Sequence, residues 1–148
     1  MVRWIRTSFL MVACAIGAAG AQAQVQAQPI QPRLVHDCRL SDRHGLLPQR
    51  IFLLEMPAPG QVDVWDGAVK ATVGQPMPAT VVEDTPQTLR LKWEVRGLRA
   101  TTTRGVGTQV DVMYKAVYQR GGALTMTAEV LGGYDNPLAQ GTGSCTPG

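Results

Sequence analysis

The stretch from Gln109 to Leu131, QVDVMYKAVYQ-RGG-ALTMTAEVL, constrains the fold of this chain more than any other. Side chains along a strand alternate between its two faces. Val110, Val112, Tyr114, Ala116 and Tyr118 share one face of the first half, and Leu124, Met126, Ala128 and Val130 share one face of the second. The turn must bring both apolar sets to the same side. A two-residue Gly121-Gly122 turn sets Tyr118 opposite Thr125 and mismatches the faces. A three-residue loop, Arg120-Gly121-Gly122, sets Tyr118 opposite Leu124, Ala116 opposite Met126, Tyr114 opposite Ala128 and Val112 opposite Val130. A slip of one residue would undo every pair, so the three-residue loop is expected, with Gly122 at positive φ and a bulge beside it.

The rest of the chain repeats the theme in short runs parted by Gly and Pro. Arg50 to Met56 is nearly all apolar and reads as a central strand, stopped by Pro57-Ala58-Pro59-Gly60. Gln61 to Trp65 is the next strand, Ala68 to Val73 a further strand or its return, and Gly74 to Pro78 a loop. Ala79 to Glu83 follows, then a turn over Asp84 to Gln87. Thr88 to Val95 alternates without error, with Leu89, Leu91, Trp93 and Val95 on one face against Thr88, Arg90, Lys92 and Glu94. This is the pattern of an antiparallel strand with one wet face. Arg96 to Thr108 reads as a loop, and Leu138 to Cys145 as a Gly-rich closing strand. No stretch after residue 23 holds a helical period over three turns without Pro or Gly. Seven to eight strands fit one all-β domain over residues 36–148, a small antiparallel β-barrel or a two-sheet sandwich.

Residues 1–23 read as a signal peptide: Arg3 and Arg6, an apolar run from Thr7 to Ala19, then Ala21-Gln22-Ala23. Cleavage within residues 19–27 leaves a Gln- and Pro-rich flexible N-terminal arm, 24–35, ahead of the domain. Met11-Val12-Ala13-Cys14 only weakly resembles a lipobox. Loss of Arg3 and Arg6 takes the net charge from +3 to +1, which excludes a global field that would steer the protein to nucleic acid. It also leaves two cysteines, Cys38 and Cys145. In an exported protein such a pair reads as a disulfide, here closing a loop of 107 positions. The expected location is periplasmic or secreted, with no transmembrane segment in the mature chain.

The residues that carry polar or aromatic chemistry fall in four places. His36-Asp37-Cys38-Arg39-Leu40-Ser41-Asp42-Arg43-His44 holds both histidines and reads as a polar surface loop beside the disulfide. A metal would need His36, His44 and Asp37 or Asp42, but the spacing matches no zinc signature, so no metal or cofactor is assigned. Arg96, Arg99 and Arg104, with Thr101 to Thr103 and several glycines, form a candidate binding loop for an anionic group. It has no Walker lysine. Trp65 is out of phase with Val62 and Val64, so it faces the wetter side and is a candidate contact. Trp93, Tyr114, Tyr118 and Met126 face inward and would line a cavity if a barrel were hollow. No nucleophile elbow, catalytic triad or paired catalytic carboxylates is present, so no catalytic residue is assigned.

The ending Gly133-Tyr134-Asp135-Asn136-Pro137-Leu138-Ala139-Gln140-Gly141-Thr142-Gly143-Ser144-Cys145 resembles that of a group of small secreted proteobacterial proteins with an early Cys and a G-Y-x-N…G-x-G-x-C terminus. The resemblance implies a Cys38–Cys145 disulfide and no particular activity. In size and plan the chain also resembles periplasmic lysozyme-inhibitor barrels. It lacks their Ser-Gly-x-x-Tyr loop, so that likeness implies fold alone.

The functional expectation is a non-enzymatic binding module that contacts a protein or envelope component with a loop end or exposed strand. A carrier of a small apolar ligand inside the barrel is the alternative, and an enzyme using the His36–His44 loop is a third, weaker reading.

Overall fold

The computed structural model describes residues 30–42, 47–101, 105–132 and 139–148. The expected signal peptide, Cys14, His44, Arg104 and the segment 133–138 lie outside these. Eight strands succeed one another: β1 (Leu34–Asp42), β2 (Arg50–Glu55), β3 (Val62–Asp66), β4 (Met77–Asp84), β5 (Thr88–Thr101), β6 (Gly107–Gln119), β7 (Ala123–Leu131) and β8 (Ala139–Pro147). A six-residue helix, α1 (Gly67–Thr72), joins β3 to β4. Each strand pairs antiparallel with the next, and β8 pairs back to β1, so the sheet closes into an up-and-down barrel. Closure settles barrel against sandwich and leaves no open sheet edge around the wall.

The β6–β7 hairpin has the register that its apolar faces require. Tyr118 sits opposite Leu124, Ala116 opposite Met126, Tyr114 opposite Ala128 and Val112 opposite Val130. Gly122 supplies the positive φ, 115°, and its N–H donates to the Gln119 carbonyl at 2.8 Å. Inward positions from all eight strands form one core. Ile51, Leu53, Val64, Leu89 and Met126 are completely buried, and Leu91, Trp93 and Tyr114 nearly so. The outward positions of β5 are Thr88, Arg90, Lys92 and Glu94, so this strand carries charge on its outer face at mid-strand. A membrane barrel has the reverse arrangement, with an apolar outer band. Among the described residues no helix is long and apolar enough to cross a membrane.

The β1–β8 seam is held by a disulfide and a close backbone approach. Cys38 and Cys145 are register partners, with Cα atoms 3.9 Å apart, and they form a disulfide. Gly143 lies between Leu40 and Leu124 on the neighbouring strands. A Cβ added there would run into the carbonyl of Arg39, so only glycine fits.

Four expectations are corrected. Gly67–Thr72 is helical, so Ala68 to Val73 is neither a strand nor its return. Asp66 caps the helix, its Oδ1 accepting from the N–H of Ala68 at 2.7 Å and of Val69 at 2.9 Å. β4 starts at Met77, so the preceding loop is shorter than Gly74 to Pro78. Arg96 to Thr108 is mostly strand, because β5 runs on to Thr101 and β6 starts at Gly107. The His36–Asp42 stretch is β1 itself rather than a surface loop, and β1 also takes in Leu34 and Val35 from the expected N-terminal arm.

Candidate binding site

The strand directions give the barrel two distinct ends. One gathers the start of β1, the end of β2 and the turns after β4 and β6; it is called the turn end here. The other gathers α1 and the connection between β5 and β6.

At the turn end the sequence pattern places an acid inside. Glu55 is in phase with Ile51 and Leu53, and it is 5% exposed. Two arginines and a histidine meet it. His36 Nε2 lies 2.8 Å from Oε1, Arg120 Nη1 donates to Oε1 at 2.8 Å, and Arg33 Nη2 donates to Oε2 at 3.3 Å. Burial alone would raise the Glu55 pKa. The bonds from His36 and Arg120 outweigh it and hold the carboxyl below the usual range. Arg120 is committed on every side. Its Nη2 donates to Asp84 Oδ1 at 2.6 Å and its Nε to the Thr85 carbonyl at 3.0 Å. The His36 ring packs against Tyr118, with centroids 4.7 Å apart. This network ties β1, β2, the β4–β5 turn and the β6–β7 turn together, and neutralises its own charge. Sequence reasoning missed Glu55 and Arg120, although the phase of Glu55 with its apolar neighbours marked it as inward.

At the other end two strands leave the barrel. β4 pairs with β5 only as far as Thr80 opposite Lys92, and β7 with β6 only as far as Asp111 opposite Leu131. β5 and β6 go on pairing with each other: Leu98 with Val110, Arg99 with Gln109, Ala100 with Thr108 and Thr101 with Gly107. At a strand's rise per residue, these pairs carry a two-stranded ribbon roughly 13 Å past the rim. A bulge marks its root. The register shifts between Val95 and Leu98, Gly97 takes φ 68°, and the Gly97 N–H donates to Asp111 Oδ1 at 2.8 Å. Leu98 and Val110 therefore share the inner face and pack on the core, while Arg99 and Gln109 share the outer face.

The arginines singled out from sequence belong to this ribbon. Arg96 is 78% exposed and bonds Glu94 at 2.7 Å. Arg99 is exposed and has no carboxylate partner among the described residues. A groove of about 520 Å³ runs between the end of α1 and β5, lined by Ala71, Thr72, Arg96, Gly97, Leu98 and Arg99. From Arg96 to Val110 the sequence holds three arginines and no Asp or Glu.

The other candidates sit elsewhere. Trp65 is on the outer wall and half-buried, opposite Phe52. Phe52 lies beneath the Arg50 guanidinium at 4.6 Å, and Arg50 is doubly bonded to Asp37 at 2.9 and 2.7 Å. Trp93, Tyr114, Tyr118 and Met126 all point inward and are buried. Trp93 stacks on Tyr114 at 5.5 Å, and burial, with the nearby Asp66, pushes the Tyr114 pKa up to about 12. Cys38 is spent in the disulfide, and no group of three His, Cys, Asp or Glu side chains is placed to hold a metal among the described residues.

The fold and site thus define a small, disulfide-closed, eight-stranded antiparallel barrel with one strand pair reaching beyond its rim. Comparison with family models, with curated proteins and with solved structures found no match to the chain.

Proposed function

We propose that this protein is an exported binding module that contacts a partner protein or an envelope component through the β5–β6 ribbon. The observation that carries this reading is the contrast in commitment. Arg120 at the turn end is consumed by internal bonds, whereas the ribbon leaves the wall with Arg99 unpaired among the described residues. A two-stranded extension costs ordering entropy and adds little to the core, so a contact outside the barrel is its natural use. The Cys38–Cys145 bond and the N-terminal signal pattern support the periplasm or the exterior as its workplace.

The test is capture from an envelope extract. Immobilised intact protein should retain a partner that is lost when Leu98 to Gln109 is replaced by a short glycine turn at the rim. Equal retention by the trimmed protein, with an unchanged melting temperature, would overturn the proposal.

One observation favours an interior carrier as a second reading. The indole N–H of Trp93 and Oδ2 of Asp66 are buried without a protein hydrogen-bond partner. Native mass spectrometry of gently purified protein should show a bound small molecule on this reading. A single unliganded mass would dismiss it.

A further inference from the structure

We infer that the groove between α1 and the outer edge of β5 takes an extended acidic peptide, which pairs with Leu98 to Thr101 as an added strand. The inference rests on the ribbon being the contact surface and specifies what it contacts.

Three features of the ribbon converge. First, past Lys92 the edge of β5 has no strand paired with it among the described residues. Half of the backbone N–H and C=O groups of a strand in a two-stranded ribbon point away from its partner. Such an edge is completed by another polypeptide, because only a polypeptide repeats donors and acceptors at strand spacing. A glycan or a phosphate offers no such ladder. Secondly, the groove is bounded on its far side by Ala71 and Thr72. Small side chains there leave room for a backbone to lie down.

Thirdly, the side-chain faces specify the sequence of the guest. A strand added to β5 alternates with the same period of two. One set of its side chains falls on the face of Arg99, where a carboxylate meets a guanidinium that has no acid partner among the described residues. The other set falls on the face of Leu98 and Ala100, both half-buried, and would be small and apolar. The ribbon has no acid of its own from Arg96 to Val110 to repel such a guest, and Asp111 is occupied by the Gly97 N–H. The expected ligand is therefore a segment in which Glu or Asp alternates with Val or Ala.

The probes are a capped Glu-Val repeat peptide, its Lys-Val counterpart, and the Glu-Val peptide N-methylated at alternate residues to remove the donors of one edge. Phosphatidylglycerol vesicles serve as an anionic surface without a backbone ladder. Full-length mature protein is titrated with each, and amide exchange is followed residue by residue. The Glu-Val peptide should bind and slow exchange at Leu98 to Thr101, and Arg99→Glu should weaken it roughly tenfold. The Lys-Val and N-methylated peptides should bind much more weakly.

No binding of the Glu-Val peptide, equal binding of the Lys-Val or N-methylated peptide, or binding of vesicles alone would each overturn the inference. Arg99→Glu lies on an exposed position, and an unchanged melting temperature separates its effect from misfolding. If the N-methylated peptide binds equally while Arg99→Glu abolishes binding, strand addition fails but the ribbon stands as a contact surface. If envelope capture survives trimming of the ribbon, the broader proposal fails as well.

Discussion

The two ends of the barrel use arginine in opposite ways. At the turn end the Arg120 side chain is 24% exposed and gives hydrogen bonds to Glu55, Asp84 and the Thr85 carbonyl. At the ribbon end Arg96 is 78% exposed and bonded to one acid, Glu94, and Arg99 is exposed with no acid partner among the described residues. The residue type is the same, but the number of acceptors around each guanidinium differs. A saturated arginine is part of the structure, and an unsaturated one on a projecting ribbon is available to something else. Counting arginines in the sequence could not make that distinction.

The sharpest way to break the comparison is to empty the turn end. Glu55→Ala leaves His36 and Arg120 facing a buried gap, and should lower stability by about 3–5 kcal/mol in denaturant unfolding. A loss below about 1 kcal/mol would mean that the network is ornamental. Arg33 reaches the same acid from a side chain that is 70% exposed, so its replacement by Ala should cost little.

Acid gives the same information without a large packing change. The Glu55 carboxyl is depressed in the folded state, so its contribution is present above the ordinary Glu value, about 4.3, and is lost as pH falls through its folded value. The stability gap between the wild type and Glu55→Gln should therefore be widest near neutral pH and close below about pH 4. A gap that widens on acidification would contradict the sign.

Asp66→Ala tests α1, the wall of the ribbon groove. Two N–H groups lose their acceptor, and the cost should be about 1 kcal/mol. The smallest effect on stability is expected at the ribbon. Arg99→Ala should shift unfolding by less than about 0.5 kcal/mol while reducing retention of the envelope partner. A large loss of stability there would show that the ribbon serves the fold, and the contrast between the ends would vanish.

The wall of the barrel was largely legible in the residues, because alternation over seven to nine positions in β5, β6 and β7 leaves little choice of face. The β6–β7 register followed from four apolar pairs, and the inward set of β5 from Leu89, Leu91, Trp93 and Val95. The helix was not legible. Six residues complete fewer than two turns, too few to show a period, and the Asp66 cap was the only local signal. The ribbon was hidden by its Gly and Thr content, which reads as loop until Gly97 is recognised as a bulge. The turn-end network was hidden for another reason. His36 meets Glu55 from the adjoining strand, but Arg120 lies 65 positions further on, and only the curled sheet brings it within 2.8 Å of the same carboxyl. Charge at the end of an apolar strand shows that a partner must exist. It does not say which one.

The seam has a consequence for the order of folding. Every wall pairing except one joins strands that are adjacent in sequence, and these hairpins can zip in succession with short loops to close. The β1–β8 pairing alone spans the length of the domain, at a separation of 107 between its cysteines. The eighth strand must find the first, with Gly143 seated against the Arg39 backbone where a Cβ would not fit. The disulfide joins register partners and so locks this closure. A reduced chain would retain its meander of hairpins while its two ends breathe apart, leaving two open strand edges in place of a sealed wall.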